Sequence, residues 1–178
     1  MRKSQTAAAQ TKATIIRSAA RLFRERGFEA VSIGDVMNAA GLTVGGFYRH
    51  FESKEALAVA AIEAATVEST SLREKGPLAP AYLTTLHYDN PRAGCPVAAL
   101  VSDIARQPAS TRTAFTDAVR AMVASLEPET GDRRAALRRA VELVGAVALA
   151  RAVRHDDKKL SDEILRAVRG SSSPRKGV

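Results

Sequence analysis

The chain has 178 residues, a formal net charge of +8, a pI near 10.1, no tryptophan and one cysteine. Cys95 alone excludes an intramolecular disulfide and a cysteine-rich metal site, and the longest uncharged apolar run, residues 143–150, is far too short to span a bilayer. Nothing resembles a signal peptide, so a cytoplasmic chain with no membrane association is expected, and its basic balance suits an anionic partner.

Few segments alternate apolar and polar residues, and aromatics make up 4%, which predicts an all-α protein. Residues 1–10 are polar and alanine-rich and read as a mobile arm. Ile15, Ala19, Leu22 and Phe23 share one face of a helix over 11–26 that Gly27 stops, with Arg17, Arg21 and Arg24 largely off that face. Ser32 and Asp35 have the spacing of a capping box, and Val31 and Val36 that of a hydrophobic staple. Ile33, Val36, Met37 and Ala40 then give a helix over 32–40, which Gly41 ends. Thr43 is placed to cap a second helix over 43–50, stapled by Leu42 and Phe47. Two short helices across a tight turn form a helix-turn-helix, whose second helix would lie in a DNA major groove. Phe47 and Phe51 are expected to point inward.

Ser53 caps a long helix over 54–73 with Glu55 in its first turn. Gly76, Pro77 and Pro80 break the pattern, and a short helix over 81–86 and a loop over 88–94 follow. A helix with proline in its first turn is expected over 96–106, then one over 109–126 with Phe115, Val119, Met122 and Val123 inward. Pro128 and Gly131 separate this from a helix over 133–153. There Leu137, Val141, Val144, Ala148 and Ala152 make an apolar face with many small residues. His155, Asp156 and Asp157 read as a polar loop, and a last helix over 161–169 precedes a polar tail, 171–178.

The run 11–57 resembles the DNA-binding domain of TetR-family transcriptional regulators. The matching residues are Ile15, Ala19, Leu22, Phe23, Gly27, Phe28, Ser32, Ile33, Ala40, Gly41, Phe47, Tyr48, His50, Phe51, Lys54 and Leu57. The stretch G-C-P-V-A-A-L-V-S-D-I-A-R from Gly94, with L-V-G-A-V-A-L-A-R-A-V and L-S-D-E-I-L later, resembles one subgroup of such regulators. The resemblance implies a helix-turn-helix DNA-binding domain over 1–52 and a helical effector-binding and dimerisation domain over 53–178. The span from Glu74 to Ala81 is short for the family.

By the same resemblance Thr43, Val44 and Gly45 meet base edges, and Tyr48, His50 and Lys54 meet phosphate. Val44 offers apolar contact suited to a thymine methyl. Ser32, Gly46 and Arg49 complete the expected DNA-binding set. Gly45 and Gly46 cost helix propensity, about 1 kcal/mol each, and would allow close backbone approach. Charge agrees, with nine Lys and Arg against four Asp and Glu up to Lys54, and 18 against 15 beyond it.

No pairing of Cys95 with His87 or His155 makes a catalytic constellation, and neither an enzyme nor a cofactor or metal is expected. The function implied is a dimeric repressor that binds a palindromic operator in double-stranded DNA and is released by a small apolar or aromatic effector. The alternative is a DNA-binding regulator without a small ligand, controlled by a protein partner or by thiol sensing at Cys95. Tyr82, Leu86, Tyr88, Cys95, Phe115 and Met122 are the candidate pocket wall. A homodimer interface is expected from Val141, Val144, Gly145, Ala148, Leu149 and Ala152, together with Ile164, Leu165 and Val168.

Overall fold

The chain starts with a helix longer than its apolar period requires. In the computed structural model, which describes residues 2–73 and 82–169, α1 spans Arg2–Arg26. The segment expected to be an arm is thus largely helical, and no glycine or proline interrupts it before Gly27. Ile15, Ala19, Leu22 and Phe23 are buried. Gly27 takes φ +76°, and a β-carbon there would collide with the Asp103 carboxylate, so glycine is required for both conformation and space.

α2 is Ile33–Ala39 and α3 is Lys54–Arg73, with Ser53 Oγ accepting the Ala56 amide at 3.0 Å. Between them Val44–Arg49 forms a 3-10 helix instead of the expected α-helix. Six residues containing a Gly45-Gly46 pair cannot sustain a regular α-turn, and the tighter ladder takes over (Gly46 N to Thr43 O, 3.0 Å; His50 N to Phe47 O, 2.9 Å).

The predicted breaks at Gly76, Pro77 and Pro80, Ala81, the tail 171–178 and the side chain of Leu86 lie outside the described residues. α4 is Thr85–Asp89, capped by the Thr84 hydroxyl, and a 3-10 turn, Pro91–Ala93, continues into what was expected to be loop. α5 covers only Pro96–Leu100, followed by a 3-10 turn, Ile104–Arg106. The single helix predicted there is broken where Asp103 packs against Gly27 and bonds Arg106 at 2.8 Å.

α6, Ala109–Thr130, runs through Pro128. The carbonyl that loses its donor is that of Ala124, an exposed position where water can replace it. Leu126 beneath stays fully buried and holds the last turn down. α7 is Arg133–Val153, as the period predicts, and α8 is Lys158–Arg169. α8 begins three residues early because Asp157 accepts the Leu160 amide at 2.9 Å, which gives the polar loop a capping role.

The regular structure of the described residues is all helical, with no strand among them. α3 packs on α1 and α6, α6 on α7, and α7 on α8. Leu57, Ile62, Met122, Leu126, Leu143 and Val147 form the centre of the body. Among the described residues no helix is long and apolar enough to cross a membrane.

Candidate nucleic-acid interface

α2 is fixed from both ends. Val31, Val36 and Met37 are buried. The capping box is complete: Ser32 Oγ accepts the Asp35 amide at 3.0 Å, and Asp35 Oδ2 accepts the Ser32 amide at 2.8 Å and its hydroxyl at 2.5 Å. The hydroxyl bond, then the amide bond, hold the Asp35 carboxyl below its ordinary range. Gly41 turns the chain at φ +71°, and the Leu42 amide returns to Met37 O at 2.9 Å.

Beyond the turn, Phe47 is fully buried and stacks on Phe51 at 5.8 Å. Anchoring these rings leaves Thr43, Val44, Gly45, Tyr48 and Arg49 exposed, Gly46 and His50 half-exposed, and Ser32 at the near edge. Val44 is 48% and Tyr48 69% exposed, so neither belongs to this chain's core. The Thr43 side chain makes no cap bond, contrary to expectation, which leaves its hydroxyl available to a partner. A β-carbon at Gly45 would meet nothing within 4 Å, and one at Gly46 only Met37 Cε at 3.8 Å. No internal contact therefore demands glycine at either position.

Lys54 is partly committed. Its Nζ donates to Phe28 O at 2.6 Å and ties the start of α3 to the turn after α1. An ammonium has three protons, so phosphate contact would have to share this group. Lys12, which the helical period did not single out, lies 5.2 Å over the Phe51 ring and brings a second amine from α1 to the hairpin.

Arg24 departs most from the reading of the sequence. It is 4% exposed, and it donates to Gly94 O at 3.2 Å and to Glu68 at 3.3 Å. Burial lowers its pKa, opposed by Glu68. Beside it Arg92 pairs with Glu25 at 2.7 Å, and Gln107 donates to Glu29 at 3.2 Å. These contacts fasten α1 to the body. The arginines at 17, 21 and 24 are visible in the sequence, but nothing there shows that the last one turns inward.

Residues 15–61 match the family profile described as bacterial regulatory proteins, tetR family. Over that stretch the chain is a TetR-family DNA-binding domain. It is 43% identical over 54 residues to the uncharacterized HTH-type transcriptional regulator YerO of Bacillus subtilis (strain 168), 30% of this chain and 19% of that protein. It is 36% identical over 74 residues to the A-factor receptor protein of Streptomyces griseus, 42% of this chain and 27% of that one. The matched stretches thus span about a fifth to a quarter of these relatives. The crystal structure of a TetR-family transcriptional regulator from Agrobacterium tumefaciens superposes with a TM-score of 0.71 at 20% identity, over 92% of this chain and 97% of that one. The likeness of fold therefore extends through the body.

In the body of the chain, Tyr82, Tyr88 and Cys95 are buried around His87. The Tyr82 ring lies 4.2 Å from the imidazole, whose Nε2 accepts the Cys95 amide at 2.8 Å. Phe115 and Met122 lie on the buried face of α6 with Ala118. Of the five pocket candidates with described side chains, Tyr88 alone lines a cleft of about 350 Å³ beside α8. Among the interface candidates, Val141, Leu149 and Ala152 are exposed, while Val144, Gly145, Ala148, Ile164 and Val168 are half-buried. Leu165 is buried inside its own chain, because it fills the seam between α8 and its neighbours. Apart from its edge at that cleft it offers a second copy almost no surface, contrary to expectation.

Proposed function

We propose that this chain is a dimeric transcriptional repressor whose head, residues 1–52, binds a palindromic operator and whose body, 53–178, pairs with a second copy and responds to a small-molecule effector. The observation that carries the reading is the exposed row Thr43, Val44, Gly45, Tyr48 and Arg49 on a short helix locked from behind by Phe47 and Phe51. A hydroxyl, a small apolar side chain, bare backbone, a phenol and a guanidinium together suit base edges and phosphates. The surplus of positive charge up to Lys54 suits the same partner.

One such short helix supplies few contacts, so two heads would read half-sites about one turn of DNA apart. Val141 and Leu149, 72% and 58% exposed beside Gly145 and Ala148, offer the apolar surface for pairing. Ligand would then act by favouring a separation of the heads that no longer matches the operator. For thiol control the geometry is less suitable, since Cys95 is buried.

The test is selection of DNA from a random pool by the purified chain, followed by titration of the winner across salt. A defined palindrome, with affinity falling steeply as salt rises, is expected. Enrichment of no sequence, or an affinity indifferent to salt, would sink the reading.

A further inference from the structure

α8 carries Lys158, Asp162, Arg166 and Arg169 on one face, at intervals that bring every third or fourth residue together. With Arg154 at the end of α7 they surround the cleft of about 350 Å³, whose remaining walls are Tyr88 and Leu165. Four cationic side chains thus meet one carboxylate. Two of them are already engaged: Arg154 pairs with Asp89 at 2.9 Å and sits 4.6 Å over the Tyr88 ring, and Arg169 donates to Leu83 O. Arg166 bonds the Asp162 carbonyl through Nε at 3.2 Å. Among the described residues, neither Lys158 nor Arg166 has an acidic side chain within ion-pair distance. Arg166 and Arg169 lie three residues apart and repel, Lys158 and Arg166 flank Asp162 four residues from each, and an anion in the cleft offsets the remaining surplus of positive charge.

The walls add the second half of the ligand. Tyr88 and Leu165 are buried and supply a phenol ring and an aliphatic side chain, and the Arg154 guanidinium already sits over the aromatic ring. The volume falls at the small end of the roughly 300–1,000 Å³ typical of small-molecule sites. A bare inorganic anion would leave most of it unfilled. The cleft also opens on the side of α7 that bears Arg154, about half a helical turn from the stripe Val141, Ala148 and Ala152, so pairing through that stripe would leave it accessible.

We infer that this cleft binds a small organic anion, a carboxylate on a flat apolar body, with Lys158 and Arg166 holding the charge and Tyr88, Leu165 and Arg154 the body. Its position gives it a route to the head. Arg151 on α7 donates to Tyr88 O at 3.0 Å and to His87 O at 2.8 Å. His87 Nε2 accepts the Cys95 amide, and the adjoining Gly94 carbonyl accepts from Arg24 of α1. Segment 87–95 therefore lies between the cleft and the helix that supports the recognition hairpin. Ligand that competes for Arg154 or displaces Tyr88 shifts that segment, which makes the anion a candidate effector. This consequence rests on the regulator reading; the binding does not.

The experiment is calorimetric titration of the full chain with 2-naphthoate, with its neutral analogue 2-naphthamide, and with inorganic phosphate. Naphthoate should bind at least tenfold tighter than either. The double variant Lys158→Glu/Arg166→Glu, at two exposed positions, should keep its melting temperature and lose at least tenfold in naphthoate affinity. Equal binding of the amide, equal binding of phosphate, or a double variant that binds naphthoate normally would each overturn the site. Saturating naphthoate should also weaken DNA binding by the unaltered chain and leave the double variant unaffected; DNA affinity indifferent to bound naphthoate would overturn the route to the head. A chain that binds naphthoate through Lys158 and Arg166 but never binds DNA would keep the site and lose the regulator reading.

Discussion

The recognition segment and the outer stripe of α7 both leave large apolar side chains in water, Val44 and Tyr48 in one, Val141 and Leu149 in the other. Their surroundings separate them. Val44 stands among Thr43, Gly45, Tyr48 and Arg49, a mixture of hydroxyls, bare backbone and charge. Val141 stands above Val144, Gly145, Ala148 and Ala152, which carry no polar side chain. Apolar exposure by itself is common on protein surfaces. On the proposed function, these surroundings suit different partners: a polar, anionic groove for the first, a surface like itself for the second.

The strongest way to break this comparison is a charge in the stripe. Val141→Arg places a cation where the isolated chain is already open to water, so its own fold should change by no more than about 0.5 kcal/mol. In a two-fold contact the same substitution buries two unpaired charges near each other, at about 3–5 kcal/mol. Sedimentation should then read a monomer, with operator affinity down by about 100-fold or more. A Val141→Arg chain that remains dimeric and binds its operator normally would move the interface off this stripe.

How legible each region is follows from how local its determinants are. Ser32, Asp35, Val31 and Val36 lie within six residues, and their caps and staple are present as the sequence dictates. The extent of α7 was equally readable, because its apolar period is unbroken. By contrast, Arg24 meets Gly94 and Glu68 across 70 and 44 residues, and no periodicity reports such contacts. The break after Leu100 depends on Asp103 finding Gly27, another long-range contact. Leu165 had the right spacing for an interface but faces its own core, because an amphipathic period identifies a buried face and not the chain that buries it. The 3-10 form of Val44–Arg49 was open to prediction from two adjacent glycines in a six-residue helix. The charged cleft was not, since its residues come from three separate elements.

A smaller change sharpens the other half of the comparison. Gly45 has no internal neighbour for a β-carbon to strike and no left-handed backbone to maintain. Gly45→Ala should therefore leave the chain as stable as before or up to about 1 kcal/mol more stable, because alanine loses less backbone freedom on folding. If the glycine is there for close approach to DNA, operator affinity should nevertheless fall, by roughly the 1–3 kcal/mol of one good base contact. Thermal unfolding and DNA titration on the same sample separate the two effects. Unchanged or improved binding would mean that this stretch of backbone stays clear of the DNA.

The smallest expected effect concerns the Asp35 carboxylate, which stiffens α2 beneath the recognition segment. Its folded-state pKa lies below the ordinary value, first because the Ser32 hydroxyl donates to it and then because the Ser32 amide does. A carboxyl with a depressed folded pKa contributes its full stabilisation above the unfolded value, near 3.9, and loses it as pH falls through the folded value. The gap in melting temperature between the unaltered chain and Asp35→Ala should accordingly be constant from pH 8 to 5 and close below about pH 4. Ser32→Ala removes the hydroxyl donor and leaves the amide, so its carboxylate should titrate nearer the ordinary value, and its acid loss should begin at the same pH, be smaller and be complete at a higher pH. A gap for Asp35→Ala that persists unchanged at pH 3 would mean that the residue acts through packing, since protonation would then have removed its charge without effect. No such outcome is expected at an exposed helix start, where the carboxylate has two donors from Ser32 and the unpaired amides of the first turn favour negative charge.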